Sequence, residues 1–321
     1  MMSMLLPNLI IAGAPKCGTT ALFCYLAAHP EVCASSEKET CFLMDAGYPL
    51  YRPQCNIDHL GIEGYRQFFS HCKGGDSRIY LEATPDYLYQ ETALRVLSGF
   101  DPQPKVVFIL RKPSERIYSL FRFAQNNMAV LDASISFKKF LEMVECRDPS
   151  LRGRDILLNA IDHSDYAIHL EKWFTAFGRE RVKVLLFEEL VADPRALMEE
   201  LCRWLELEPE FYEGFDFQKQ NEAVTVKSQA IHYWRRRIAR YLPAGLKPKG
   251  LRALYDRLNI TRGGVERSAE EQVTLARLDQ RFAEGVEWLG VLTGLDLSTW
   301  SQTREGGRGE NCATLEKTHG E

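Results

Sequence analysis

The sequence predicts an α/β protein in which a parallel sheet of about five strands is flanked by helices and followed by a helical C-terminal lobe. Two observations predict this fold class. Apolar runs of strand length recur along the first two thirds of the 321-residue chain, and each precedes a segment with apolar residues at helical spacing. A glycine-containing turn joins the first run to the first helical segment. Alternation of this kind is typical of a parallel sheet that helices cover on both faces.

The individual elements follow from the same periodicity. Strands are predicted at 8–13, 78–82, 105–110 and 181–187, and helices at 20–28, 90–97, 114–125, 166–177 and 194–205. Asp193 is the expected N-cap of the last of these helices, and Pro194 takes its first position. Residues 7–210 are therefore expected to form the α/β core of a single domain that spans residues 1–300.

The alternation of strands and helices stops after Pro209. Helices are predicted at 232–241, 250–258 and 269–292, which makes 211–300 the helical C-terminal part. The first of these helices carries four arginines, which favours a solvated face. Residues 301–321 combine glycines and charges without an apolar period, and this predicts a disordered tail.

Composition excludes several classes of protein. With 45% hydrophobic and 26% charged residues, the chain has ordinary globular values. Its formal charge of −4 argues against a protein that coats nucleic acid, which needs many Lys and Arg contacts to phosphates. The longest apolar runs are far shorter than the roughly 20 residues that span a bilayer. No basic segment precedes the apolar residues near the N-terminus, so a cytoplasmic chain without membrane insertion is expected.

The nine cysteines are interpreted as reduced thiols of a cytosolic protein. Their number is odd, they are spread along a long chain, and they form no CxxC pair. No histidine is placed as a further ligand, so no zinc site or other metal site is predicted.

The turn after the first strand has the position and composition of a phosphate-binding loop. It runs Gly13-Ala14-Pro15-Lys16-Cys17-Gly18-Thr19-Thr20, and it opens the first helix, where backbone N–H groups can cradle an anion. In an ATP-binding Walker loop, lysine directly precedes the last Ser or Thr, whereas here Thr19 has that place. The pattern therefore favours a P-loop-like site that differs from an ATP site. A tight strand-to-helix turn with no ligand is the alternative.

A second candidate anion site follows the strand at 105–110. That strand ends in Arg111 rather than in an acidic metal ligand, and Ser119 follows on the next helix. A guanidinium fork and a hydroxyl can converge on one phosphate. The alternative is a surface ion pair between Arg111 and Glu115.

These two motifs together resemble the donor site of the sulfotransferases that use 3′-phosphoadenosine 5′-phosphosulfate (PAPS). The loop resembles their 5′-phosphosulfate loop, P-K-[ST]-G-T-T, with Cys17 in the Ser/Thr position. Arg111 and Ser119 resemble their 3′-phosphate site, R-x-P-x-x-R-x-x-S. The resemblance is strong across residues 7–210 and looser to residue 300. It implies PAPS as donor, the bisphosphate PAP as product and no metal. The implied donor contacts are Pro15, Lys16, Cys17, Gly18, Thr19, Thr20, Arg111, Ser119 and, from a later basic loop, Lys227.

The resemblance also implies catalytic residues. The stretch 36–43 is similar to the K-E-x-x-F-F segment of glycan-type and bacterial sulfotransferases, and it implies Glu39 as the general base. Lys16 is the implied cation for the leaving group. Lys38 and Lys16 beside Glu39 favour its ionised form, which can accept a proton. A solvated, charged loop at 37–39 is the alternative.

The acceptor is the least constrained part of the prediction. The stretch 81–88 resembles E-[KA]-[ST]-P-x-Y-[FL], with Ala83 where many glycan-modifying relatives have lysine. Implied acceptor contacts are Lys38, Asp86, Tyr87, Arg122 and Phe123. The expected activity is transfer of a sulfuryl group to a hydroxyl, rather than an amine, of a carbohydrate, lipid or secondary metabolite. Two alternatives stay open: a P-loop kinase that uses ATP and Mg²⁺, and a nucleotide-binding module without catalysis. The oligomeric state is left open.

Overall fold

A five-stranded parallel sheet in the order β2-β3-β1-β4-β5 forms the centre of the protein. The computed structural model describes residues 6–72, 77–128, 130–217, 224–226, 260–262 and 267–301. The strands of the sheet are β1 (Leu9–Gly13), β2 (Val32–Ala34), β3 (Ile79–Ala83), β4 (Lys105–Leu110) and β5 (Val182–Leu186). A separate antiparallel pair joins β6 (Val224–Val226) to β7 (Ile260–Arg262). The predicted parallel sheet of about five strands is confirmed.

Helices connect the strands. The α-helices are α1 (Thr19–Ala27), α2 (Ile57–Leu60), α3 (Arg66–Phe69), α4 (Glu91–Ser98), α5 (Pro113–Phe123), α6 (Phe137–Glu145), α7 (Asp155–Leu158), α8 (Tyr166–Phe177), α9 (Phe187–Ala192), α10 (Pro194–Leu205), α11 (Ala269–Thr293) and α12 (Ser298–Ser301). Short 3₁₀ turns occur at Ile62–Tyr65, Pro85–Tyr89, Pro149–Leu151, Asp162–Ser164 and Pro209–Gly214, and a π turn at Ala124–Met128 continues α5.

The core is centred on β1 and β4, which lie side by side in the middle of the sheet. All five residues of β1 are buried, and so are the last five of β4. Continuous apolar strands of this kind are expected where helices cover both faces of a sheet. Their carboxyl ends lead directly into the loop at 14–18 and into α5, so two buried strands hold the backbone of both candidate anion sites.

The C-terminal helix α11 packs against the helix that carries the second candidate anion site. It starts at a capping box formed by Ser268 and Glu271, and Tyr118 on α5 donates a hydrogen bond to Glu271 Oε1 at 3.0 Å. Asp279 accepts from Ser114 and pairs with Lys112 at 2.8 Å. The helical C-terminal region is thus confirmed. The helices predicted at 232–241 and 250–258 and the tail at 302–321 lie outside the described residues.

Several elements are missing from the sequence prediction, among them α2, α3, α7 and α9. Strand β2 has only three residues, and α6 lies in a stretch to which the prediction assigned no element. No helix within the described ranges is both long and apolar enough to cross a bilayer.

The prediction that all cysteines are reduced thiols is wrong for one pair. Cys33 on β2 and Cys72 after α3 form a disulfide, whereas the other six cysteines in the described ranges are free thiols. The two partners are 39 residues apart in sequence, and the fold brings their Cα atoms to 6.0 Å. Spacing along the chain therefore could not reveal the pair.

Candidate active site

The loop after β1 has the backbone geometry of an anion cradle. Lys16 and Gly18 both have positive φ, +72° and +93°, and Gly18 caps the start of α1. A Cβ at Gly18 would lie 2.8 Å from Cδ2 of Phe187, so only glycine fits this position without strain. The first turn of α1 contains no acidic residue. The partial positive charge of the helix N-terminus is therefore left for an anion.

Lys16 lies among the other residues that the sequence pattern selected. Its ammonium is 3.7 Å from the centre of the Phe123 ring, a cation–π contact. Burial, followed by the neighbouring charge of Arg111, lowers the pKa of Lys16 to about 8, while Glu39 acts in the opposite direction. Lys16, Phe123, Arg111 and Glu39 thus share one electrostatic environment, although they come from four separate segments.

Cys17, the residue that departs from the usual P-K-[ST]-G-T-T pattern, points away from the loop's outer surface. Its side chain is fully buried, with Sγ 3.6 Å from the hydroxyl of Tyr166 and 3.7 Å from the Pro15 carbonyl oxygen. Burial raises the pKa of the thiol. The same Tyr166 hydroxyl donates to the Arg111 carbonyl oxygen at 2.9 Å, so it connects the two candidate anion sites.

Beneath the loop lies Arg116, whose guanidinium is almost completely buried at 1% exposure. It donates to the carbonyl oxygens of Pro15 at 3.1 Å and Ala160 at 3.2 Å, to Ser164 Oγ at 2.8 Å and to the Tyr89 hydroxyl at 3.3 Å. None of these four partners is a carboxylate. A buried cation with only neutral hydrogen-bond partners adds positive potential directly below the proposed phosphate loop.

Arg111 takes part in a three-residue ionic cluster at the end of β4. It pairs with Glu115 at 3.2 Å, and Arg267 makes two further bonds of 2.7 Å to the two oxygens of that carboxylate. Burial alone would raise the pKa of Glu115, but the hydrogen bond and charge of Arg267 outweigh it and lower the pKa. Both interpretations of Arg111 thus find support. It forms the ion pair with Glu115, and it also lies close enough to Lys16 to lower the pKa of that lysine.

The predicted base Glu39 lies on the loop that follows β2. Its backbone N–H donates to the Ala83 carbonyl oxygen at 2.8 Å, which fixes the loop to the end of β3. The side chain is half exposed and accepts from Lys38 Nζ at 2.6 Å. Arg52 holds the same loop by donating to Glu37 and to the Glu39 carbonyl oxygen. The carboxylate is therefore accessible while its backbone is held.

A buried polar network supports the base loop from behind. Glu82 Oε1 accepts from the hydroxyls of Thr40 and Thr84, each at 2.7 Å, and the Tyr87 hydroxyl lies 3.3 Å from Thr40 Oγ1. Within the described residues, Glu82 Oε2 has no hydrogen-bond partner, and burial raises the pKa of this carboxyl to about 7. Tyr87, a predicted acceptor contact, is fully buried and accepts from the Leu43 N–H at 3.1 Å. The Tyr87 hydroxyl thus contacts Thr40 and Leu43 behind the base loop.

The other predicted acceptor contacts surround the base loop and α5. Asp86 is 7% exposed and accepts from the Tyr48 hydroxyl at 2.6 Å, and burial raises its pKa to about 6. Arg122 and Ser119 are half-buried on α5, and Thr19 and Thr20 form the first turn of α1. Lys227 lies outside the described residues.

Sequence reasoning did not select Arg267, Tyr166 or Tyr48, and it left Arg116 without a role. Arg267 directly precedes a Ser-x-x-Glu capping box, so its position at a helix start is readable from the sequence. Its partner Glu115 is 152 residues away, and no local pattern indicates that contact.

The carboxyl edge of the sheet thus combines an anion cradle at a helix N-terminus, cations after β1 and β4, and the half-exposed carboxylate of Glu39. Comparison with known proteins identifies the family. Residues 6–232 match the family model described as the sulfotransferase domain, and the chain therefore belongs to the sulfotransferase domain family.

Relatives in sequence and in structure agree with this assignment. The chain is 25% identical over 206 residues to the mouse bifunctional heparan sulfate N-deacetylase/N-sulfotransferase 4, which covers 64% of this chain and 23% of the relative. It is 29% identical over 206 residues to the human enzyme 1 of that name, with 62% and 22% covered. The chain thus spans less than a quarter of the length of these relatives. A sulfotransferase structure from Alicyclobacillus acidocaldarius superimposes with a TM-score of 0.65 at 23% identity, covering 93% of this chain and all of the other, and this likeness shows the fold.

Proposed function

We propose that this protein transfers a sulfuryl group from PAPS to a hydroxyl of a carbohydrate, lipid or secondary metabolite. The observation that supports this most is that Lys16, Arg111 and Glu39 lie at the carboxyl edge of the sheet, after β1, after β4 and beside the end of β3. A donor with phosphate groups at both ends needs two cationic sites. A transfer to oxygen also needs a base between the donor and the acceptor.

The residues of the loop fit the 5′ end of such a donor. The Gly18 position has no room for a Cβ, and the N-terminus of α1 carries no neutralising acid. Backbone N–H groups of Gly18, Thr19 and Thr20 would hold the 5′-phosphate, with Lys16 beside the bridging oxygen. Arg111 and Ser119 would hold the 3′-phosphate, the arginine as a charged fork and the serine as a hydroxyl donor.

In the proposed reaction, Glu39 takes the proton of the acceptor hydroxyl. The acceptor oxygen attacks the sulfur at the same time, in line with the leaving group. The bond between sulfur and the bridging oxygen breaks, and PAP leaves. Lys16 neutralises the negative charge that develops on that oxygen. Lys38, Asp86, Tyr87, Arg122 and Phe123 are the proposed acceptor contacts, and no metal takes part.

Donor identity is tested by calorimetric titration of the protein with PAP and with ATP plus Mg²⁺. The proposal expects tighter binding of PAP, independent of Mg²⁺. Tighter binding of ATP that depends on Mg²⁺ would overturn it in favour of a kinase, since a kinase needs the metal for its phosphates.

Catalysis is tested separately with Glu39→Gln and Lys16→Ala, and with Lys139→Ala and Glu142→Gln as matched controls from an exposed ion pair on α6. Incubation with radiolabelled PAPS and a metabolite extract reveals products heavier by one sulfuryl group. Glu39→Gln should bind PAP normally and lose about 100-fold or more in transfer rate, the range of general-base catalysis. Full PAP binding without any transfer in the parent protein would instead indicate a binding module.

The proposal also includes a cytoplasmic location, where the donor is available. Fractionation with an antibody against the chain tests it, and recovery with exported proteins would contradict it.

A further inference from the structure

A second cluster of reactive side chains lies at the edge of the sheet, on the strand that leads to the base loop. Cys33 belongs to the edge strand β2, and His71 and Cys72 follow α3. The Nε2 atom of His71 lies 3.7 Å from Cys33 Sγ and 4.0 Å from Cys72 Sγ. Both cysteines are half-buried and His71 is exposed, so the cluster is open to solvent.

The three ligand atoms are a set that a soft cation prefers. Two thiolates and one imidazole are typical ligands of zinc and of other soft first-row cations. Around a tetrahedral zinc, bond lengths of about 2.3 Å to sulfur and about 2.0 Å to nitrogen separate neighbouring ligand atoms by roughly 3.5–3.8 Å. The two distances from the imidazole nitrogen to the sulfurs are already close to this separation.

The disulfide between Cys33 and Cys72 blocks cation binding, because neither sulfur is then available as a thiolate. The 6.0 Å between their Cα atoms is fixed by the backbone, so the sulfurs can separate by side-chain rotation once the bond is reduced. Reduction by a phosphine gives each sulfur one electron from phosphorus and one proton from water, and the oxygen of that water ends in the phosphine oxide. Metal binding then releases those two protons and leaves two thiolates on the cation.

We propose that Cys33, Cys72 and His71 form a binding site for a zinc-class divalent cation when the disulfide is reduced, with a fourth position open to water. The sequence expectation of no metal site rested on spacing along the chain. His71 and Cys72 follow Cys33 by 38 and 39 residues, and the bond from the Ser36 N–H to the Phe68 carbonyl oxygen, at 2.8 Å, holds α3 beside the end of β2. This inference does not depend on the proposed sulfotransferase activity.

The experiment starts from the full chain treated with a phosphine reductant, which is oxidised to the phosphine oxide and then removed without air. Titration with Co²⁺ should give one equivalent of a species with thiolate-to-cobalt absorption in the near ultraviolet, and Zn²⁺ should displace it. Elemental analysis should then find one zinc per chain. Untreated, disulfide-bonded protein should give neither signal.

Variants identify the ligands. Cys33→Ser should abolish the thiolate band expected for two sulfurs and weaken zinc binding on the order of 100-fold, because a thiolate ligand is lost. His71→Ala keeps both cysteines and should leave the sulfur absorption with a weaker affinity. Matched controls are Cys146→Ser, an exposed free thiol, and His59→Ala, an exposed imidazole. Both should bind like the parent.

Three results would overturn the proposal. The first is reduced parent protein without the cobalt–thiolate band. The second is binding that survives in Cys33→Ser but disappears in Cys146→Ser. The third is a disulfide that the phosphine does not reduce in the folded protein, since the ligands would then never be available.

Discussion

Replacing Arg116 by methionine is expected to weaken both the fold and the phosphate loop. The guanidinium is buried at 1% exposure and donates four hydrogen bonds, one of them to the carbonyl of Pro15 in that loop. Methionine fills most of the volume but removes all four donated bonds, although the Ala160 carbonyl oxygen keeps the bond from Ser164 Oγ at 2.8 Å. Each buried acceptor that loses its partner costs about 1–3 kcal/mol. Burying the charge of Arg116 itself costs free energy of desolvation. Methionine carries no such cost, and this offsets part of the loss.

The expected net loss in the free energy of unfolding is therefore about 3 kcal/mol, measured by urea denaturation at neutral pH. Under the proposed function, PAP affinity should also fall by about 10-fold or more, because a positive charge below the loop is lost. Arg116→Lys keeps the charge without the planar fork, so it should recover part of the affinity and little of the stability.

The matched control is Arg66→Met, which removes an exposed arginine whose ion pair with Glu63 lies on the surface. Its unfolding free energy should stay within about 0.5 kcal/mol of the parent. If Arg116→Met were as stable as this control, the hydrogen bonds described here would not support the loop. If Arg116→Met were less stable yet bound PAP normally, the electrostatic part of the reasoning would be refuted.

Three further predictions use single groups of the site. Lys16 has a pKa lowered to about 8, so its ammonium is charged below that pH, and under the proposed function kcat/KM for PAPS should fall as the pH rises through about 8. A flat profile to pH 10 would contradict this, and Lys16→Arg should move the fall beyond the measurable range. Gly18→Ala should weaken PAP binding and lower the free energy of unfolding by about 1–3 kcal/mol, because the added Cβ meets Phe187 and φ is positive. Calorimetry measures the binding and urea denaturation the stability. Values like those of the parent would contradict this prediction, since the loop would then accommodate the Cβ. For Glu82, folding raises the pKa from 4.5 to about 7, so its contribution to stability is fully present below pH 4.5 and is lost as the pH rises through 7. Relative to Glu82→Gln, the parent should lose about 3 kcal/mol of unfolding free energy across that range, and equal slopes of stability against pH would refute the shift.

The parts of the fold that sequence reasoning predicted are those with strong local signals. Helices α8 and α10 and strand β4 have the predicted bounds, because each has a clear apolar period and a distinct start. Strand β2 was missed because three residues are too few to show a period. Its position depends on pairing with β3, which is a tertiary contact.

The same distinction applies to the candidate site. The loop around Lys16 and the strand end at Arg111 were selected because their residues are contiguous in sequence. The support below them comes from groups that meet only in the folded chain. Examples are Arg116 with Pro15 and Arg267 with Glu115, which are separated by 101 and 152 residues. Contacts of this range leave no spacing signal in a single sequence.

The cluster of Arg111, Glu115 and Arg267 carries an unequal charge. Two guanidiniums share one carboxylate, so two positive charges less one negative charge leave a net charge of +1 at the end of β4. An anion that binds Arg111 can neutralise that net positive charge, while Glu115 keeps both of its bonds to Arg267. The attachment of α11 to α5 need not break when a ligand is bound or released. Under the proposed function, the C-terminal helix can therefore stay docked through every turnover, and mutations that loosen it should change the lifetime of the folded protein separately from its catalytic rate.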